Sequence, residues 1–159
     1  MPTSTISRIE EGLSDATIGM LDRLAKAAGR ELEISDRSAG PTIADLAAKA
    51  TREDFDWLGA RCVADWVYAN PDRASAAIDE PPAPTGSIKF DNLLAGIAET
   101  IADDHGLARP GWCTATQPSV SPWEQSGTPA MKKKARSATP PRLAARNIWV
   151  GRSAIWRDR

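Results

Sequence analysis

The residues best suited to chemistry are Asp103, Asp104 and His105, because two carboxylates beside an imidazole can bind a metal ion or transfer protons. His105 is the only histidine, so a Ser/His/Asp triad, a Cys/His pair or a histidine metal site would have to use it. The pattern around this triplet predicts the end of a helix. There an imidazolium interacts favourably with the helix dipole, and the two carboxylates are solvated. We therefore expect no catalytic residue, no metal site and no cofactor.

Other chemical signatures are equally sparse. Cys62 and Cys113 are too few and too far apart for a zinc site or a disulfide framework, so we expect two structural thiols. The sequence contains no glycine-rich phosphate loop and no nucleophile motif. It has no apolar run of the ~20 residues that span a bilayer, and its first residues do not resemble a signal peptide. These features predict a cytoplasmic protein that does not contact membranes.

Charge is strongly segregated along the chain. Residues 1–40 carry five Lys or Arg and seven Asp or Glu, and residues 41–128 carry six and thirteen. Residues 129–159 carry nine basic residues and one acidic residue, a net charge of +8. This pattern predicts a basic C-terminal region that binds phosphates or an acidic partner, folds back on the acidic middle, or is simply solvated.

The first elements form a compact pattern of two short amphipathic helices. Residues 3–12 read as one helix, with Ile6 and Ile9 on its apolar face. A second helix covers residues 14–28 and ends at Gly29. Residues 30–35 alternate as in a short strand, and the polar link that follows places the end of this unit at residue 38.

The remainder, residues 42–159, reads as a helical domain. Thr42 caps a brief helix, and a box formed by Thr51 and Asp54 should open a long helix over residues 52–69. Its predicted buried face consists of five side chains: Phe55, Leu58, Cys62, Val63 and Trp66. Asn70-Pro71 should end this helix, and a further short helix should follow.

A second core helix should follow a stiff, proline-rich linker at residues 79–86. Ser87 should cap this helix, and His105-Gly106 should end it. Its apolar side is predicted to carry Ile88, Leu93, Leu94, Ile97 and Ile101. Residues 108–134 should be irregular. The predicted fold is thus mainly α: a partial helix-turn-helix unit, then a helical domain with an irregular basic C-terminal extension.

Four tryptophans of the C-terminal half are the candidate partner-binding residues. Trp112 and Trp123 lie in the predicted irregular segment, and Trp149 and Trp156 lie among arginines near the end of the chain. Large aromatic rings are costly to leave in water without a surface to cover. They serve either as anchors in an interface or as the domain's own core.

The opening residues carry a resemblance to a known family. STISRIEEG, a turn and TIGMLDRLAKAAG are similar to the second half of the helix-turn-helix domain of XRE (lambda-repressor-like) regulators. In that family the helix matching the first of these segments enters the major groove. The resemblance implies operator DNA binding by the following side chains: Thr3, Ser4, Thr5, Ser7 and Arg8.

Members of the XRE family normally have two further helices before this point, which complete the core under Ile6 and Ile9. We expect either that the true start lies upstream of Met1 or that the chain is a natural truncation that kept its partner-binding part. Of these two, the upstream start agrees better with the apolar character of Ile6 and Ile9.

The region from Asp45 onwards resembles the C-terminal regions of actinobacterial helix-turn-helix proteins encoded beside nucleotidyltransferase-like toxins. FDWLGARCVADWV, LLAGIAETIADDHGLARPGWC and ATPPRLAARNIWVGRSAIWRD carry this resemblance. It implies an antitoxin that occludes a protein toxin while, as a dimer, it binds a palindromic operator. The alternative is a plain transcription regulator whose C-terminal domain binds a ligand or mediates oligomerisation.

Overall fold

The computed structural model describes residues 18–29 and 40–157, and it confirms that the protein is mainly α-helical. Backbone contacts divide the chain into two compact units, Met1–Asp36 and Arg37–Arg159. The sequence analysis separated residues 1–38 from residues 42–159. The predicted helix at residues 3–12 and the predicted strand at residues 30–35 lie outside the described residues.

The described part of the first unit is helix α1, Ile18–Ala27. An ion pair between Lys26 and Asp22, 2.9 Å long, joins neighbouring turns of the helix. Gly29 follows the helix with a φ of +68°, and its N–H donates to the carbonyl of Lys26. Glycine adopts this left-handed conformation without a Cβ penalty, so Gly29 ends the helix as the sequence predicts.

The second unit begins with helix α2, Ile43–Lys49. The Thr42 hydroxyl accepts from the N–H of Asp45, and the Asp45 carboxylate accepts from the N–H of Thr42, which forms a complete capping box. The predicted cap of this helix is therefore confirmed.

The predicted start of the long helix was wrong. Thr51 does accept from the N–H of Asp54, but the N–H of Thr51 donates back to the carbonyl of Asp54, so these residues close a turn. Helix α3 begins later and covers Trp57–Ala69. Asp56 caps it, because the Asp56 carboxylate accepts from the N–H of Gly59 at 2.8 Å. The hydrogen bond that the Thr51-x-x-Asp54 pattern predicts does form, but it closes a turn. The same side-chain bond occurs in turns and at helix starts, so the pattern does not distinguish the two.

The buried face of α3 also differs from the prediction. Its buried residues are Ala60, Val63, Ala64 and Val67, which recur at the spacing of one helical stripe. Phe55 is buried but precedes the helix, Trp66 is half-buried, and Leu58 and Cys62 are exposed. The buried side of α3 thus consists mainly of small residues. Leu58 and Cys62, one turn apart, form a second, apolar stripe that faces outwards.

The next elements form the centre of the unit. Asn70-Pro71 ends α3 as predicted, and a 3-10 turn, Pro71–Arg73, leads into helix α4, Ala74–Asp79. The long helix α5, Ile88–Asp104, follows the proline-rich linker. Ser87 precedes α5 without capping it. Instead, the Asp91 carboxylate of the first turn accepts from both the N–H and the hydroxyl of Thr85.

Helix α5 ends at Asp104, and His105-Gly106 terminates it as predicted; it is the central helix of the core. Gly106 has a φ of +65°, and its N–H donates to the carbonyl of Asp103. The N–H of Leu107 donates to the carbonyl of Ala102, which completes the helix end. Of the apolar side predicted for α5, only Ile88 is exposed. The other four residues are buried: Leu93, Leu94, Ile97 and Ile101.

The C-terminal region is more regular than predicted. It contains helix α6 (Gly111–Ala115), strand β1 (Trp123–Glu124), helix α7 (Pro129–Ser137), helix α8 (Pro141–Ala145), strand β2 (Ile148–Trp149) and a 3-10 turn, Arg152–Ala154. The two short strands pair in parallel, with Trp123 opposite Ile148. The prediction of an irregular segment therefore fails for α6, α7 and β1.

This region is built into the core. Its fully buried side chains are Cys113, Leu143, Ile148, Val150 and Ile155. Helix α8 packs directly on α5 at Gly96, where an added Cβ would clash with the Leu143 side chain and lie 3.3 Å from the Leu143 Cα. The glycine in the middle of α5 is thus required by the close approach of two backbones.

Candidate partner-binding surfaces

The five residues predicted to bind DNA, Thr3, Ser4, Thr5, Ser7 and Arg8, lie outside the described residues. Their role is still a prediction from the resemblance. The described neighbour of that segment is α1, which ends where the resemblance places the end of the following helix.

The basic C-terminal region folds back on the acidic middle, which was one of three outcomes considered from the charge pattern. Arg142 pairs with Asp103 at 2.5 Å, Arg152 with Asp104 at 2.7 Å, and Arg157 with Asp65 at 2.9 Å. On α7, Arg136 and Lys132 both pair with Glu124. In the part of the chain described, Lys133 and Lys134 form no ion pair.

These pairs affect the acidic side chains on which they converge. The hydrogen bond from Arg142 lowers the pKa of Asp103, and one from Arg109 adds to the effect, although partial burial opposes it. Hydrogen bonds from Arg136 and then Lys132 lower the pKa of Glu124. Both carboxylates are partly exposed, so these pairs hold the charged side chains in position and contribute little to the stability of the fold.

Arg146 differs from the other basic residues because it is buried, with 5% of its surface exposed. Its Nε and Nη2 donate to the two carboxylate oxygens of Glu99 at 2.9 and 2.8 Å. Nη1 donates to the Asn92 side chain and to the carbonyl of Thr116, and Nη2 also donates to the carbonyl of Cys113. All five N–H groups of the guanidinium therefore have partners, and this cluster holds α5, α6 and α8 together.

The four tryptophans proposed as anchors are all half-buried. The Trp112 indole N–H donates to the carbonyl of Ile78 at 2.9 Å, which fixes that ring in the unit. Trp123 stacks on Trp57 with centroids 6.3 Å apart and meets Phe90 edge to face. Each ring therefore has a structural contact as well as an exposed part.

Trp149 and Trp156 each carry an arginine over the ring. The guanidinium of Arg136 lies 5.1 Å from the Trp149 centroid, and that of Arg152 lies 5.1 Å from the Trp156 centroid. Among the ring contacts of the described residues, none joins two of these four tryptophans. The structure distributes them among different contacts along the C-terminal region.

An apolar groove lies between α2 and α3. It has a volume of about 260 Å³ and is lined by, among others, Leu46, Leu58, Gly59, Cys62 and Val63. Leu58 is 73% exposed, and the Cys62 side chain is also exposed. We call this surface the α3 groove. Helical periodicity predicted Leu58 and Cys62 to be buried, so the sequence did not indicate this groove.

A second, larger depression lies where α3, the end of α5 and the C-terminal segment meet. It has a volume of about 460 Å³ and is lined by Ala64, Asp65, Val67, Tyr68, Ile101, Asp104, His105, Arg152, Trp156 and Arg157. We call it the C-terminal cleft. Of the four predicted anchors, Trp156 lies in it, beside the residues first considered for chemistry.

The chemistry available at these surfaces is limited. Among residues 18–29 and 40–157, no group of three or more potential metal ligands comes together. Burial is the main cause that raises the pKa of the Cys113 thiol to about 12, so it stays protonated and unreactive at neutral pH. Within the same ranges, no helix has the length and apolar character that crossing a membrane requires.

Comparison with known proteins gives no further guide. No protein-family model matches the chain, and no curated protein or solved structure is similar to it at a significant level.

Proposed function

We propose that this protein is a DNA-binding transcription regulator that acts as an antitoxin. The first unit binds operator DNA, and the unit covering Arg37–Arg159 binds a nucleotidyltransferase-like toxin. The proposal derives from the two sequence resemblances. The structural observation that supports it best is the outward apolar stripe of α3, where Leu58 is 73% exposed beside a groove.

Such a stripe suits a protein partner better than water. A partner that covers an exposed aliphatic side chain at the rim of a preformed groove removes its apolar surface from water, and burying one Leu is worth about 1.5–3 kcal/mol. Leu58 lies in the first turn of α3, with Cys62 one turn further along the helix. A helix or extended segment of the toxin can therefore bury both residues in one continuous contact.

A single charged substitution tests this surface. Leu58→Asp places an acidic residue in the first turn of α3, where the helix dipole favours it, so the variant should fold normally. Ile88→Asp is the matched control, because Ile88 is 71% exposed and is the first residue of α5. The assay is copurification from the native host with a nucleotidyltransferase-like partner, together with rescue of growth when the chain and that partner are expressed together.

We expect Leu58→Asp to weaken the complex at least tenfold, which corresponds to about 1.4 kcal/mol, and Ile88→Asp to leave it unchanged. Equal behaviour of the two variants would exclude the α3 groove as the binding site. If no nucleotidyltransferase-like protein copurifies with the wild-type chain, the antitoxin proposal itself fails.

The DNA-binding half of the proposal needs its own measurement. Affinity for the DNA upstream of the gene should fall in Arg8→Ala and should fall steeply with salt in the wild type. Arg73→Ala is the control, since Arg73 is an exposed arginine of the other unit and, among the residues that the structure describes, pairs only with the neighbouring Asp72. If Arg8→Ala binds as tightly as Arg73→Ala, the assigned contact is wrong.

The C-terminal cleft favours a second candidate function. A depression of about 460 Å³ is within the size range of small-molecule sites, as a ligand-responsive transcription regulator would require. In that case the wild-type chain copurifies with no toxin, and a small molecule changes its affinity for DNA.

A further inference from the structure

The C-terminal cleft has a polar rim and an apolar floor. Ala64, Val67 and Ile101 form the apolar part, and the Trp156 ring lines another side. Two ion pairs lie at the rim: Arg152 Nη2 to Asp104 at 2.7 Å, and Arg157 Nε to Asp65 at 2.9 Å. The cleft thus combines a surface for a hydrophobic group with charged groups at its edge.

The C-terminal segment that supplies the arginines is held in place. Ile155 is fully buried, and Arg61 of α3 donates through Nη2 to the carbonyls of Ser153 at 2.8 Å and Ala154 at 3.2 Å. These contacts fix the backbone between Arg152 and Trp156. The cleft is therefore largely formed before any ligand arrives, which reduces the entropy lost on binding.

Hydrogen-bond donors exceed acceptors at the rim. A guanidinium has five N–H groups, and Arg152 and Arg157 each direct one nitrogen at an aspartate. Both aspartates are thereby neutralised, and the His105 ring adds to the polar side of the lining. Within the described residues the other N–H groups of these two guanidiniums have no acceptor, and a carboxylate matches them because its two oxygens can accept in parallel.

The formal charges of the residues that line the cleft indicate which ligand charge the cleft favours. The lining holds two aspartates and two arginines, so their charges cancel when His105 is neutral. A single negative charge gains the spare N–H donors with modest repulsion. A dianion such as a phosphate ester meets the two carboxylates with twice the charge.

The planar side chains in the lining of the cleft favour a flat ligand. Arg152 lies over the Trp156 ring at 5.1 Å, so guanidinium and indole form a layered planar surface. An aromatic ring can extend this stack while its faces cover the small side chains of the floor.

We propose that the C-terminal cleft binds a small aromatic monocarboxylate, with its carboxylate at Arg152 and Arg157 and its ring against Trp156 and the apolar floor. This inference does not depend on whether the protein binds DNA or a toxin, and it identifies a site that neither sequence resemblance implies.

The test uses the full chain and the probe 2-naphthoate, followed by calorimetry and by the NMR signals of the six indole N–H groups. We expect one saturable site with a Kd at or below about 1 mM, in line with ordinary ligand efficiencies. The signal of Trp156, assigned with Trp156→Phe, should shift most. The neutral 2-naphthamide and the dianionic 2-naphthyl phosphate should each bind at least tenfold more weakly.

Arg152→Gln/Arg157→Gln should weaken naphthoate binding at least tenfold, and Arg73→Gln should change it less than twofold. The rim pairs are exposed and contribute little to folding, so the double variant should keep its fold, checked by its circular dichroism. The proposal is overturned if 2-naphthoate does not bind, if the amide binds as well as the acid, or if the double variant and Arg73→Gln behave alike. None of these results affects the toxin or DNA assays.

Discussion

Replacing Arg146 with methionine should destabilise the protein far more than replacing any other arginine of the C-terminal region. Methionine fills much of the same volume but removes all five hydrogen-bond donors. Glu99 then loses its ion-pair partner with only 13% of its side chain exposed, and the Asn92 side chain and two backbone carbonyls lose a donor. Removing one member of a buried ion pair costs about 3–5 kcal/mol, because the remaining charge is left uncompensated.

The control is Arg109→Met. The Arg109–Asp103 pair is 3.1 Å long, but its side chains are 44% and 39% exposed, so its loss should cost about 0–1 kcal/mol. The free energy of unfolding of both variants is measured by urea unfolding at pH 7, with tryptophan fluorescence as the signal. For a chain of 159 residues, a loss of 3–5 kcal/mol lowers Tm by roughly 6–20 °C.

A double variant separates the charge from the packing. Arg146→Met/Glu99→Met removes both buried charges, and we expect it to recover at least half of the stability lost in Arg146→Met, since apolar replacements of buried ion pairs are often neutral. The reasoning is refuted if Arg146→Met loses no more than Arg109→Met, or if the double variant is less stable than the single one.

Three further predictions concern thiols, packing and pH. In the native protein only Cys62 should react with a thiol reagent at pH 8, and Cys62→Ser should abolish that reaction until denaturant exposes Cys113. Gly96→Ala should cost about 1–3 kcal/mol in urea unfolding, because its Cβ would clash with a side chain of α8. The pKa of Glu124 is lowered mainly by the hydrogen bond from Arg136, so the stability that Glu124→Gln removes at pH 7 should begin to shrink below about 4.3, where the unfolded carboxyl titrates, and should be lost as the pH falls through the lower pKa of the folded state. If the urea midpoints of wild type and Glu124→Gln differ equally at pH 7 and pH 3, that pair contributes nothing.

Local signals predicted several elements well. The cap at Thr42, the stop at Asn70-Pro71 and the glycine ends of α1 and α5 depend on neighbouring residues, and each is found where it was predicted. Such features need no tertiary partner, because the hydrogen bonds and backbone conformations involved span only a few residues.

Features that depend on distant residues were harder to predict. Helix α3 has apolar residues on two sides, and periodicity alone favoured the larger Leu58 and Cys62 over the alanines that are buried. Arg146 is separated by 47 residues from Glu99, so nothing near it in the sequence distinguishes it from the exposed arginines. The excess of positive charge at residues 129–159 was compatible with a fold-back but also with partner binding or a solvated tail, and it left the pairing open.

The position of the last buried side chains has a consequence for biosynthesis. Leu143, Ile148, Val150 and Ile155 complete the core around α5, so a nascent chain has no finished hydrophobic interior until these residues have left the ribosome. A polypeptide interrupted before residue 143 exposes the apolar side of α5 and is open to proteases and aggregation. Quality control in the cell should therefore remove every product of incomplete translation, and only chains read through this region accumulate.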